Sequence, residues 1–165
     1  MTTAPMKPLA VRRLAAGERA LAEELFAGGL DAGRVQILAL PLWRRAFVAG
    51  PGLIVWPAVQ AWRDFSTAPL RLQAMLAHEL THVWQAQRGV FLPWAKLRAG
   101  DGAAAYAYDL RQQPDFAALN IEQQAMVVEH AFLAARGAEV PHPAALYVEA
   151  SAAWRSPPRP GRAAL

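Results

Sequence analysis

The chain has 165 residues, enough for one domain with a core and too few for two comfortable ones. A hydrophobic share of 55% against 18% charged residues excludes a disordered chain, and the net charge of +4 is too small and too scattered to predict nucleic-acid binding. There is no cysteine, which excludes disulfides and thiolate metal sites and leaves nitrogen and oxygen as the available metal ligands.

Residues 1–8 carry two prolines and no pattern, and read as a flexible lead. No apolar run follows Lys7, so no cleaved secretory signal is expected, and no stretch is long and apolar enough to predict a membrane span. The expected location is the cytoplasm, with any export independent of a signal peptide. One domain is expected over 9–155 and a disordered tail over 156–165.

Leu14, Leu21, Leu25 and Phe26 predict an amphipathic helix over 9–27, ended by Gly28 and Gly29. The apolar run 35–40 predicts a strand. Two more, 46–49 and 53–56, flank Gly50-Pro51-Gly52 and predict a hairpin. A helix follows over 69–88, with Ser66 or Thr67 as candidate cap and Gly89 as its stop. Residues 90–117 are mixed. A second strong helix is expected over 121–136, with Asn120 as N-cap and Gln123 completing a capping box. A last short helix is expected over 141–154. Together these elements predict an α+β fold, a small antiparallel sheet packed on two principal helices. Trp62, Trp84 and Trp94 read as core rather than as a substrate platform.

The chemistry concentrates at His78-Glu79-Leu80-Thr81-His82. Residues four apart lie on one helix face, so both imidazoles can reach one cation. Glu79 lies about 100° round the helix, placed to act on a water at that metal rather than to bind the metal. A zinc ion lowers the pKa of such a water toward neutrality, which suits Glu79 as general base in the attack on a carbonyl. The proton then passes to the leaving amine. Leu72, Met75, Leu76, Leu80 and Val83 can anchor the helix and hold both rings still.

The segment resembles the active-site helix of zincin metallopeptidases. Its longer wording, HELTHVWQ at 78–85, is similar to small zincins associated with Rhs and Vgr elements of type VI secretion. WAKLRAG at 94–100, AYAYDL at 105–110 and IEQQA at 121–125 add to the resemblance, which spans about 35–135. It implies zinc-dependent peptide or amide hydrolysis, a peptide or cell-wall-like substrate, and a secretion-system partner. A non-catalytic adaptor of a type VI or Rhs-type assembly, stabilised by zinc, is the alternative.

A catalytic zinc takes three protein ligands and keeps one position open. The downstream candidates are Asp109, Asp115, Glu122, Glu129, His130, Glu139 and His142. Arg88 stands where metzincins place a third histidine. Gluzincins take a glutamate from a later helix, which implies Glu122 or Glu129, with Glu122 the better fit. Met126 stands where the best-known gluzincins carry a further acid, and Glu129 can then serve as the carboxylate behind a ligand. Tyr106 and Tyr108 are candidates to face the developing oxyanion. His130 reads as a surface or core residue, and His142, between two prolines, as an exposed turn. The hairpin is a candidate edge for an extended peptide.

Overall fold

The chain enters its fold through a strand. In the computed structural model, which describes residues 5–155, β1 (Val11–Arg13) pairs antiparallel with β2 (Gln36–Leu40), Val11 opposite Leu38. The predicted tail 156–165 and the first part of the lead lie outside the described residues. Pro5 bridges Trp62, and the buried Met6 donates its N–H to the Ala61 carbonyl at 2.7 Å, so this part of the lead is packed.

The helix expected over 9–27 is therefore shorter, α1 (Ala16–Phe26). Glu18 explains the break. Its fully buried carboxylate accepts two 2.6 Å bonds from the Arg12 guanidinium and one each from the backbone N–H of Ala15 and Phe65. A buried carboxylate is tolerated only with such partners. Satisfying it holds Arg12 in extended chain and ends the helix at Ala15.

After β2 come β3 (Phe47–Val48) and β4 (Leu53–Pro57), the predicted hairpin, with Phe47 opposite Val55. The sheet order is β1-β2-β4-β3, and β2 runs parallel to β4, Ile37 beside Ile54. The α+β class holds, but the sheet is mixed rather than purely antiparallel. β4 is buried along most of its length, and an inner position suits that apolar run better than an edge. The shorter, two-residue β3 takes the edge.

Phe65–Thr67 forms a 3-10 turn capped by Asp64, so Ser66 and Thr67 do not cap the next helix. That helix, α2 (Leu70–Gln87), starts behind Pro69. It sends Leu72, Leu76, Leu80 and Val83 into the core shared with Ile37, Ile54 and Trp56 of the sheet. Burial of each large apolar side chain stabilises by about 1.5–3 kcal/mol, which makes this the most firmly seated helix of the fold.

The connection that follows holds α3 (Leu92–Ala99) and the short α4 (Ala103–Tyr106). Trp94, expected in the core, is 59% exposed on α3, because Leu92 is the residue of this helix that points inward. α5 (Ile121–Ala134) has the predicted Asn120 cap and reciprocal Gln123 bond, and it packs along α2. α6 (Ala144–Arg155) closes on α5, with Trp154 Nε1 donating to the Leu25 carbonyl. No helix of the described residues is long and apolar enough to cross a membrane.

Candidate metal centre

α2 and α5 bring three donors to one point. His78 Nε2 lies 3.3 Å and His82 Nε2 3.2 Å from the same oxygen, Glu122 Oε2. The ligating atoms of the three residues all lie within 4.8 Å of one another, a grouping matched by no other set of acidic and histidine side chains among the described residues. The two rings, one turn apart, stand 4.9 Å apart at 77°.

Each imidazole has its outer nitrogen fixed, and this decides what the inner one can do. Carbonyl oxygens, which only accept, start one chain. Gln124 Nε2 donates to the carbonyls of Phe116 and Leu119, which leaves Gln124 Oε1 to accept from Gln85 Nε2 at 2.9 Å. Gln85 Nε2 also donates to the Ile121 carbonyl, so Gln85 Oε1 accepts, and its 2.8 Å partner His82 Nδ1 carries the proton. The lone pair of neutral His82 is thereby placed on Nε2. That atom is fully buried and makes no hydrogen bond, with Glu122 Oε2 3.2 Å away. On His78 the same office falls to Glu129, whose Oε2 accepts from Nδ1 at 3.1 Å.

Glu122 is buried, and its other oxygen, Oε1, faces Lys96 Nζ at 3.4 Å. Burial pushes its carboxyl up, but the His78 and His82 rings and the Lys96 charge outweigh that and hold it well below the usual range. Burial likewise works against a charged His78. The bonds to Glu122 and Glu129 and the charge of Glu79 prevail and raise its pKa to about 9.

Two imidazole nitrogens and one carboxylate oxygen, with an orphaned buried lone pair among them, fit a zinc ion. With Lys96 engaging Oε1, Glu122 has one oxygen to offer. Glu79 stands beside the centre with Oε2 buried and unpartnered. The fold brings His78, His82 and Glu122 together, with Glu79 lining the same cleft. Glu129 stands behind a ligand, and Asp109, Asp115, His130, Glu139 and His142 are not part of the group.

The centre opens into a cleft of about 420 Å³. Its walls come from α2, α5, α3, Asp101, Tyr106 and the segment 43–47 that leads into β3. Tyr106 lines this cleft, with its hydroxyl pKa raised by burial and by Glu122. Tyr108 does not line it. It bonds to His130 Nδ1 and to the Tyr147 hydroxyl, and its ring lies 5.4 Å from that of His142. His142 is accordingly half-buried rather than exposed. Gln85, Gln124, Lys96, Arg44 and Arg45 escaped the sequence reading. A glutamine on the buried face of a helix, three residues from His82, was the available signal for Gln85.

Fold and site together define an α+β domain with a candidate two-histidine, one-glutamate metal centre at the floor of an open cleft. Comparison relates that domain to type VI secretion. It is similar to a solved structure, the effector domain of Pseudomonas aeruginosa VgrG2b, with TM-score 0.64 and 28% identity over 90% of this chain and 84% of that one. It is also 32% identical over 134 residues to the type VI secretion system spike protein VgrG2b of the same organism. That match covers 74% of this chain and 13% of the spike protein, so the chain corresponds to a small part of its relative's length. No family model matches.

Proposed function

We propose that this chain is a zinc-dependent hydrolase of peptide or amide bonds, of the zincin kind, working with a type VI secretion assembly as its partner. The observation that carries the reading is the unpartnered, buried Glu79 carboxylate beside three converging donors in an open cleft. A zinc ion held by His78, His82 and Glu122 supplies the Lewis acidity that makes a water acidic and polarises a carbonyl. Glu79 takes the proton from the attacking water and returns it to the leaving amine. Tyr106 faces the same cleft and offers its hydroxyl to the carbonyl oxygen as charge develops there. β3 is an edge strand of the sheet and Phe47 lines the cleft, which suits an extended peptide laid alongside it.

Two observations favour a catalytic site over a structural staple. A closed structural zinc site takes a fourth protein ligand, whereas three gather here among the described residues, and the next carboxylate, Glu129, is committed to His78 Nδ1. The relation to an effector domain supports an acting rather than a scaffolding part.

The test is metal analysis after zinc-supplemented expression, with His78→Ala as control, followed by Glu79→Gln. Stoichiometric zinc is expected in wild type and in Glu79→Gln but not in His78→Ala. Hydrolysis of an unstructured protein substrate should fall by about 10²–10⁴ in Glu79→Gln with folding unchanged. Absence of bound metal, or full hydrolysis by Glu79→Gln, overturns the proposal.

A further inference from the structure

The cleft has a charged wall that the hydrolytic reading leaves without a task. Arg44 and Arg45 line it, next to the exposed Trp43, on the segment between β2 and β3. Neither guanidinium pairs with an acidic side chain among the described residues. Arg12, Lys96 and Arg136, by contrast, do so. Arg45 also lies close enough to Tyr106 to lower that hydroxyl's pKa against the burial that raises it. The wall thus acts electrically on Tyr106 in the same cleft.

The segment is held in place. Leu42, fully exposed, adopts a left-handed φ of 61°, a conformation unfavourable for a non-glycine residue. Exposed as it is, Leu42 gains nothing by burial in return, and such strain gathers where an arrangement is required. Beyond it the Trp43 ring rests on Phe47, 5.5 Å between centroids, which fixes the start of the charged pair.

We propose that Arg44 and Arg45 bind a carboxylate of the substrate, so that the preferred substrates are peptides carrying a free carboxylate close to the bond that is cut. This rests on the hydrolytic reading of the centre. A guanidinium fork matches a carboxylate with two parallel bonds, and two forks side by side tolerate a group at either end of a short reach. Of the four carboxylates that line the cleft, Glu122 and Glu129 are held by the histidines and Lys96, and neither Glu79 nor Asp101 forms an ion pair with either arginine among the described residues. The carboxylate recognised is either the C-terminus of the peptide or an acidic side chain.

The probes are acetylated penta-alanine as its amide, the same peptide as its free acid, and the amide with glutamate at the fourth position. Binding is measured by calorimetry on the full chain as zinc-loaded Glu79→Gln, with and without Arg44→Ala and Arg45→Ala together. Arg111→Ala, outside the cleft, made together with Arg63→Ala so that two positive charges are again lost, controls for net charge. The carboxylate probes should bind about tenfold more tightly than the neutral amide, and the ratio should collapse toward one when Arg44 and Arg45 are replaced but not in the control. The free-acid and glutamate arms tell the two carboxylate sources apart. Equal binding of acid and amide, no binding of either at millimolar peptide, or a preference that survives the loss of Arg44 and Arg45 overturns the inference. Mass-spectrometric cleavage of the same probes by wild type is read separately. A binding preference without cleavage of any peptide counts against the hydrolase alone. Cleavage without preference counts against the arginine wall alone.

Discussion

Gln85 shows how much of a metal site resides in residues that never touch a metal. Its amide passes an orientation fixed by two backbone carbonyls through to His82 and leaves Nε2 with the lone pair. Gln85→Met should keep the fold but release that tautomer, weakening zinc affinity by about 10- to 100-fold in chelator competition. An unchanged affinity would show that the relay has no part in binding. His130 gives a pH signature away from the centre. Burial lowers its pKa below 6.5, Glu129 opposes that in part, and His142 and His78 add to the lowering. A histidine lowered in the folded state stabilises it fully above the unfolded pKa. That contribution is lost as pH falls from about 6.5 toward the folded value. The melting temperature of wild type should therefore drop more steeply over that window than that of His130→Gln, and parallel curves would refute the assignment. At this scale the sequence was legible where spacing carries chemistry. HExxH singled out His78, Glu79 and His82, and the resemblance to gluzincins pointed to Glu122, which the fold brings beside the two histidines. It gave Lys96, Arg44 and Arg45 no place at the site, because their meeting depends on how α3 and the segment between β2 and β3 close over the centre.

At the scale of elements, Glu18 binds strand, helix and turn to one another. One carboxylate satisfies Arg12 of β1, the first turn of α1 and the backbone of Phe65. Glu18→Ala should destabilise the protein by about 3–5 kcal/mol in urea unfolding, since it strands the Arg12 charge in a largely buried place. A loss of less than 1 kcal/mol would mean that the network is slack. Asn120→Ala should cost about 1 kcal/mol by removing the cap of α5. The contrast between these two explains which elements could be read beforehand. Asn120 and Gln123 act on neighbours three positions away, so the helix beginning at Ile121 was visible in the sequence. Arg12 and Glu18 depend on Phe65, 47 positions from Glu18, and no local pattern announces that β1 interrupts an apparently helical stretch. The parallel pairing of β2 with β4 was hidden for the same reason: a hairpin signal fixes β3 against β4 but says nothing of which of them meets β2.

For the molecule as a whole, the centre ties α2 to α5, the two helices on which the rest is hung. Zinc that binds the folded chain alone should stabilise it by about 2.7 kcal/mol at one hundred times the dissociation constant, and a chelator should remove the gain. Melting curves that coincide with and without zinc would contradict a site spanning both helices. The sheet order has a further result. Because β4 lies between β2 and β3, residues 41–46 must arch over the head of β4, a span of about 9–10 Å between strand centres. That arch carries Arg44 and Arg45, yet it contributes no rung to the ladder and no donor to the cation. A change in its side chains therefore touches neither the strand register nor the three donors of the candidate centre. In the proposed hydrolase, the choice of what is cut is separable from the means of cutting it.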